Sequence, residues 1–110
     1  MVKKTGKLAP VHPGEVLQTV LDDAGLNAHQ TALSLRIPAN RLTAILSRKR
    51  SITADTAMRL ASFFGTSAEM WVNLQARYDL HVAEDRLSVR IANEVRPFER
   101  ADSRPAELSR

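Results

Sequence analysis

NAHQTALSLRIPANRLTAILSRKR, residues 27–50, decides how the rest of the chain is read. It reads as two short helices joined by a tight connection and closed by a basic knuckle. The second helix begins near Pro38 and runs to about Ser47. At about 100° per residue, Leu42, Ile45 and Leu46 share one face. Asn40, Thr43, Ala44 and Ser47 share the opposite face, with Ala39 and Arg41 at its flanks. Arg48, Lys49 and Arg50 follow at once. Small side chains let a helix backbone approach base edges. Asn can pair with adenine through two hydrogen bonds, and Ala or a Thr methyl can meet a thymine methyl. Arg and Lys neutralise phosphates without reading sequence. Taken alone, this pattern fits a groove-reading helix and an ordinary solvated helix beside a charged loop equally. The neighbouring segments favour the first.

Upstream, His12-Pro13-Gly14-Glu15 opens a first helix. Proline suits the first helical position, where its missing N–H costs nothing, and Glu15 complements the helix dipole. His12 is expected as a cap or turn residue. Val16, Leu17, Val20, Leu21 and Ala24 form an inward stripe, and Gly25 offers a left-handed stop. Asn27 can cap the second helix, with Gln30 three residues on. Ala28, Ala32 and Leu35 point inward, Leu33 falls off their stripe, and Thr31 stands where an aliphatic would be welcome. His29 and Gln30 lie in the first turn, whose free N–H groups can meet a phosphate. Ile37 is expected to be buried. At Arg48 a Cβ disfavours the left-handed ending a glycine would take, so a different turn is expected there.

Downstream, Thr53 caps a fourth helix over Ala54–Phe64, with Asp55 in its first turn and Ala57, Leu60, Ala61 and Phe64 inward. Gly65 ends it. Thr66-Ser67-Ala68-Glu69 reads as a capping box. It opens a fifth helix whose Met70, Trp71, Leu74 and Tyr78 supply core. The pattern continues through Leu80, Ala83, Leu87 and Ile91, which outruns a core of this size. That stripe needs another chain to cover it, or else a bend at Asp79 that folds it back. A dimer or partner surface is the expectation. Residues 1–11 read as a flexible arm carrying Lys3, Lys4 and Lys7. Residues 12–92 read as the folded domain, and 93–110 as a mobile tail.

Composition bounds the function. The 110 residues suit one domain, and 44% hydrophobic content supports a modest core. Without cysteine there is no disulfide framework or thiolate metal site. No apolar run approaches the roughly 20 residues of a membrane span, and no apolar stretch backs the basic N-terminus as in a signal peptide. A cytoplasmic protein is expected. The first fifty residues hold eight basic and three acidic side chains, the remainder eight and nine, which suggests two surfaces with different partners. His12, His29 and His81 lack ligand spacing, and no nucleophile–base pair or glycine-rich phosphate loop stands out. No catalysis, metal or cofactor is expected.

With these segments assembled, HPGEVL, RIPANRLTAIL and SITADTAMRLASFFGTSAEMWVNLQARYDL together resemble the HigA antitoxin family of the cro/cI-like (lambda repressor-like) helix-turn-helix superfamily. The resemblance covers about His12 to Leu80. It implies an all-α, five-helix domain with an extended C-terminal helix, whose third helix reads the major groove. It implies a homodimer on a palindromic operator in double-stranded DNA, repressing its own operon. It also implies a HigB-type toxin partner, an mRNA-cleaving nuclease held inactive. Base-reading positions would be Ala39, Asn40 and Thr43. His29, Gln30, Arg48, Lys49 and Arg50 would meet the DNA backbone, with Arg41 on the backbone or a base. Leu80, Ala83, Leu87 and Ile91 would form the dimer or partner surface. Arg48 stands in place of the usual Gly, Arg36 of a small turn residue and Thr31 of Leu. A stand-alone cro/cI-like repressor without a toxin is the alternative reading.

Overall fold

A computed structural model describes residues 9–99 of the chain. Five helices follow one another: α1 Pro13–Ala24, α2 Ala28–Leu35, α3 Ala39–Leu46, α4 Ala54–Phe64 and α5 Ala68–Glu94. No strand occurs among the described residues. Lys3, Lys4 and Lys7 of the expected arm, and residues 100–110 of the expected tail, lie outside them.

Four of the helices begin on a side chain that accepts an otherwise unpaired backbone N–H. His12 Nδ1 accepts from Gly14 at 2.9 Å, and Asn27 Oδ1 from Gln30 at 2.8 Å. Thr53 Oγ1 accepts from Thr56 and Ser67 Oγ from Met70. The cap of α5 is therefore Ser67, one residue later than the capping-box reading placed it. Thr66 Oγ1 accepts instead from the Trp71 indole N–H at 3.2 Å. This satisfies the polar atom of a side chain that is otherwise fully buried.

The ends of α1 to α4 share a left-handed residue: Gly25 at φ 70°, Arg36 at 60°, Arg48 at 68° and Gly65 at 74°. The expectation of a different turn at Arg48 was wrong. The Arg48 N–H donates to the Ile45 carbonyl at 3.0 Å and the Lys49 N–H to Ala44 at 2.8 Å. Arg36 and Ile37 repeat this pair on Leu33 and Ala32. Each arrangement closes two orphan carbonyls. At Arg36 it also drops Ile37 into the core at 7% exposure. These gains outweigh the roughly 1–2 kcal/mol that a Cβ costs in this conformation.

Leu17, Leu21, Leu42, Ile45, Leu60 and Trp71 make the centre of the core and are fully buried. α3 packs on α1 and α2, α4 on α2 and α5, and α1 also on α5. Gly14 brings α1 against the end of α3. A Cβ there would land on the carbonyl oxygen of Ile45, so this approach is open to glycine alone. Of the expected α1 stripe, Ala24 is exposed instead. Thr31 is buried without penalty, because its hydroxyl donates to the Asn27 carbonyl at 2.8 Å. Leu33, whose place off the stripe left it either exposed or covered by something else, is exposed.

Gln75, on the buried side of α5, was missed by the sequence reading. Its Oε1 accepts from the Ile52 N–H at 2.8 Å and its Nε2 donates to Asp79. One side chain thereby fixes the α3–α4 connection to α5. The fifth helix is continuous through Asp79 and runs for 27 residues, about 40 Å. From Glu84 onward every described residue is exposed.

Replacing Arg48 by Gly removes the Cβ strain and adds back some unfolded-chain entropy. The balance is a stabilisation of roughly 0.5–1 kcal/mol, readable as a higher urea midpoint with unchanged slope. His12 supplies a pH dependence. An accepting Nδ1 requires the neutral ring. Burial foremost, then Arg48, holds its pKa below the ordinary 6.5, against the opposing pull of Glu15 and Asp79. The folded state thus binds the proton less readily than the unfolded chain. Stability is complete above pH 6.5 and falls as pH drops below it. Thermal melts between pH 8 and 5 will show this loss, and His12→Asn, which keeps a capping oxygen without the titration, will flatten it.

Candidate nucleic-acid interface

α3 is held by its inner face, where Leu42 and Ile45 are fully buried. Its outer face therefore carries Asn40, Thr43 and Ser47, all exposed, with Ala39 and Ala44 half-buried beside them. Thr43 Oγ1 donates to the Asn40 carbonyl at 3.3 Å, and Ser47 Oγ to Thr43 at 2.9 Å. Both hydroxyl hydrogens are turned onto the helix, leaving the oxygen lone pairs free. The Asn40 carboxamide has no side-chain partner among the described residues. This surface is shallow, has both donors and acceptors, and lets a backbone come close to whatever it faces.

Around that face, the first turn of α2 exposes His29 and Gln30. Gln30 Oε1 accepts from Asn27 Nδ2 at 3.2 Å, which leaves its own amide hydrogens unpaired. Past α3, the left-handed turn throws Arg48, Lys49 and Arg50 outward as exposed side chains. Arg48 Nε lies 3.5 Å from Glu15 Oε2. Lys49 and Arg50 have no carboxylate within ion-pair distance among the described residues. Both are open to an anionic partner.

Arg41 differs from the other cations on this surface. Its side chain is 26% exposed and already engaged, with Nη1 donating to Asp55 Oδ2 at 2.8 Å and to Thr56 Oγ1 at 3.4 Å. Asp55 also receives Arg59 Nε at 3.1 Å on both oxygens, and Arg59 Nη1 donates to the Leu35 carbonyl at 3.0 Å. Hydrogen bonds from Arg41, then Arg59, hold the Asp55 carboxyl below its ordinary range. Sequence reasoning missed this cluster. Its one local signal was the Asp55–Arg59 spacing of four along a helix.

Leu80, Ala83, Leu87 and Ile91 lie away from this face, on the projecting half of α5. Leu80 is 61% exposed and Ile91 48%, with Leu87 also open and Ala83 half-buried. Arg90 and Glu94 pair at 2.9 Å beside them. No described helix is long and apolar enough to cross a membrane.

No family model matches the chain, but individual proteins do. A virulence-associated protein I from Dichelobacter nodosus is 42% identical over 87 residues, which span 77% of this chain and 81% of that one. The solved structure of an addiction module antidote protein of the HigA family from Coxiella burnetii is 49% identical, with a TM-score of 0.77. The match covers 83% of this chain and all of that one. The Pseudomonas aeruginosa antitoxin HigA, solved with the higBA promoter, is 35% identical with a TM-score of 0.79, over 82% of this chain and 99% of that one. With five helices in the same order and nearly half the residues shared along a complete family member, this chain belongs to the HigA family of helix-turn-helix antitoxins.

Proposed function

We propose that this chain is the antitoxin of a HigB–HigA type pair: a dimeric, sequence-specific DNA-binding protein that represses its own operon and neutralises an mRNA-cleaving toxin. The observation that carries the DNA half is α3. Its inner face is locked into the core, while the unpartnered Asn40 amide and the exposed Thr43 stand outward, with the unpaired cations Lys49 and Arg50 just past the helix end. Ala39, Asn40 and Thr43 read base edges in the major groove. His29, Gln30, Arg48, Lys49 and Arg50 meet phosphates on either side and set the register. The relative solved with its promoter supports this use of the fold.

Residues 12–92 act as one unit in this reading. Leu80, Ala83, Leu87 and Ile91 form the surface that pairs two copies, since an apolar stripe on a projecting helix is satisfied by an equivalent stripe. Two copies present two α3 helices to a palindrome whose half-sites lie on one face of the duplex. Neutralisation rests on family membership. Co-expression with the adjacent reading frame tests it: recovery of a complex with a small nuclease supports an antitoxin, and failure leaves a stand-alone repressor.

Asn40→Ala will relax base preference at one position per half-site by about 1–3 kcal/mol, whereas Lys49→Ala will weaken binding to all duplexes alike and lower the salt slope by about one. Fluorescence anisotropy on matched and single-mismatch duplexes, across a salt series, distinguishes the two. Leu87→Asp will convert a dimeric solution mass to that of one chain, measured by light scattering, while helical content outside the end of α5 is kept.

A further inference from the structure

Arg41 stands one residue past Asn40 on α3, yet the start of α4 holds it. A guanidinium carries five N–H donors in one plane. The two on Nη1 are directed to Asp55 Oδ2 and Thr56 Oγ1. Nε and Nη2 have no protein partner among the described residues. They form the other edge of the plane, a two-donor fork suited to a pair of adjacent acceptors.

The holder is itself held. Both oxygens of Asp55 receive Arg59 Nε, and Arg59 in turn donates to the last carbonyl of α2, at Leu35. Asp55 and Arg59 together therefore join α2, α3 and α4, and Arg41 is held in one orientation, unlike a free surface side chain. Its charge is also offset at 2.8 Å by Asp55. A phosphate contact depends mainly on charge, and Asp55, shared with Arg59, offsets only part of it. A base contact depends on the direction of the donors, and here the direction is fixed. In the major groove, guanine shows two adjacent acceptors, O6 and N7.

Resting on the reading of α3 as the groove helix, we propose that Asp55 is a positioning residue that makes Arg41 a reader of guanine instead of a phosphate anchor. The test uses the full chain and a pool of duplexes with a randomised central stretch. The wild-type chain will enrich a motif with a fixed guanine in each half-site. Arg41→Lys keeps the charge but loses the fork, and will lower the preference for that guanine about tenfold. Asp55→Asn will do the same, and Asp55→Glu, which keeps a carboxylate, will restore most of it. The double variant Arg41→Lys/Asp55→Asn will lose no more than either single change, as expected of two residues acting through one contact. A purely structural role for Asp55 would instead lower affinity for every duplex together with the melting temperature.

The assignment is overturned if Asp55→Asn leaves the guanine preference intact. It is overturned equally if that change tightens binding to all duplexes and steepens the salt dependence, the mark of a freed phosphate contact. Should Asp55→Asn fail to fold, Arg41→Lys still decides. A loss confined to one base pair supports the assignment and a uniform loss overturns it. A wild-type chain that enriches no motif would mean that the repressor reading itself has failed, which is a separate result.

Discussion

The structure depends on a contact between two backbones, where Gly14 at the start of α1 meets the carbonyl of Ile45 near the end of α3. A side chain at this point would push the two helices apart and open the layer formed by Leu17, Leu21, Leu42 and Ile45, which is close-packed and intolerant of gaps. The approach also fixes what surrounds it. His12 and Glu15, one on each side of Gly14, cap α1 reciprocally, and Glu15 extends to Arg48. The turn that directs Lys49 and Arg50 outward is thus placed by the first residues of the first helix. The outer face of α3 is a consequence of how its inner face is gripped.

Much of this was legible locally. The fourth helix was read over Ala54–Phe64 and occupies those residues, because Thr53 and Gly65 are unambiguous punctuation around an apolar period. The misses have physical causes. Thr31 looked wrong for the core, but a threonine in a helix can return its hydrogen to its own backbone and bury the remaining methyl. Arg48 looked wrong for a left-handed turn, but two backbone bonds and the packing behind them outweigh a local preference. Gln75 and Asp55 were invisible for a different reason. Their roles join residues 23 and 14 positions apart, and no local pattern reports which distant segments meet. The interior polar contacts were therefore hidden, while the helices and the outer face of α3 were not.

A count of cations overstates the attraction this surface offers to an anion. Arg41 is offset by Asp55, Arg48 lies near Glu15, and Arg59 shares Asp55. Such exposed pairs add little to stability. Their effect is to decide which guanidinium groups point in a fixed direction and which remain free. Lys49 and Arg50 keep an unpaired charge, while Arg41 is held in one orientation by Asp55 and Thr56. That division suits a partner that must first be found by charge and then distinguished by its edges.

The grip of Gln75 on the loop before α4 gives α5 a second role, as a ruler of angle. Four residues lie between Gln75 and Leu80, and each turns a helix by about 100°. One residue inserted in that interval would leave the loop anchored but rotate the apolar stripe by more than a quarter-turn. Two copies joined through the stripe would then carry their α3 helices at a different phase around the duplex. The spacing along a single helix would in this way encode the geometry of the DNA site, without any residue of that helix touching a base.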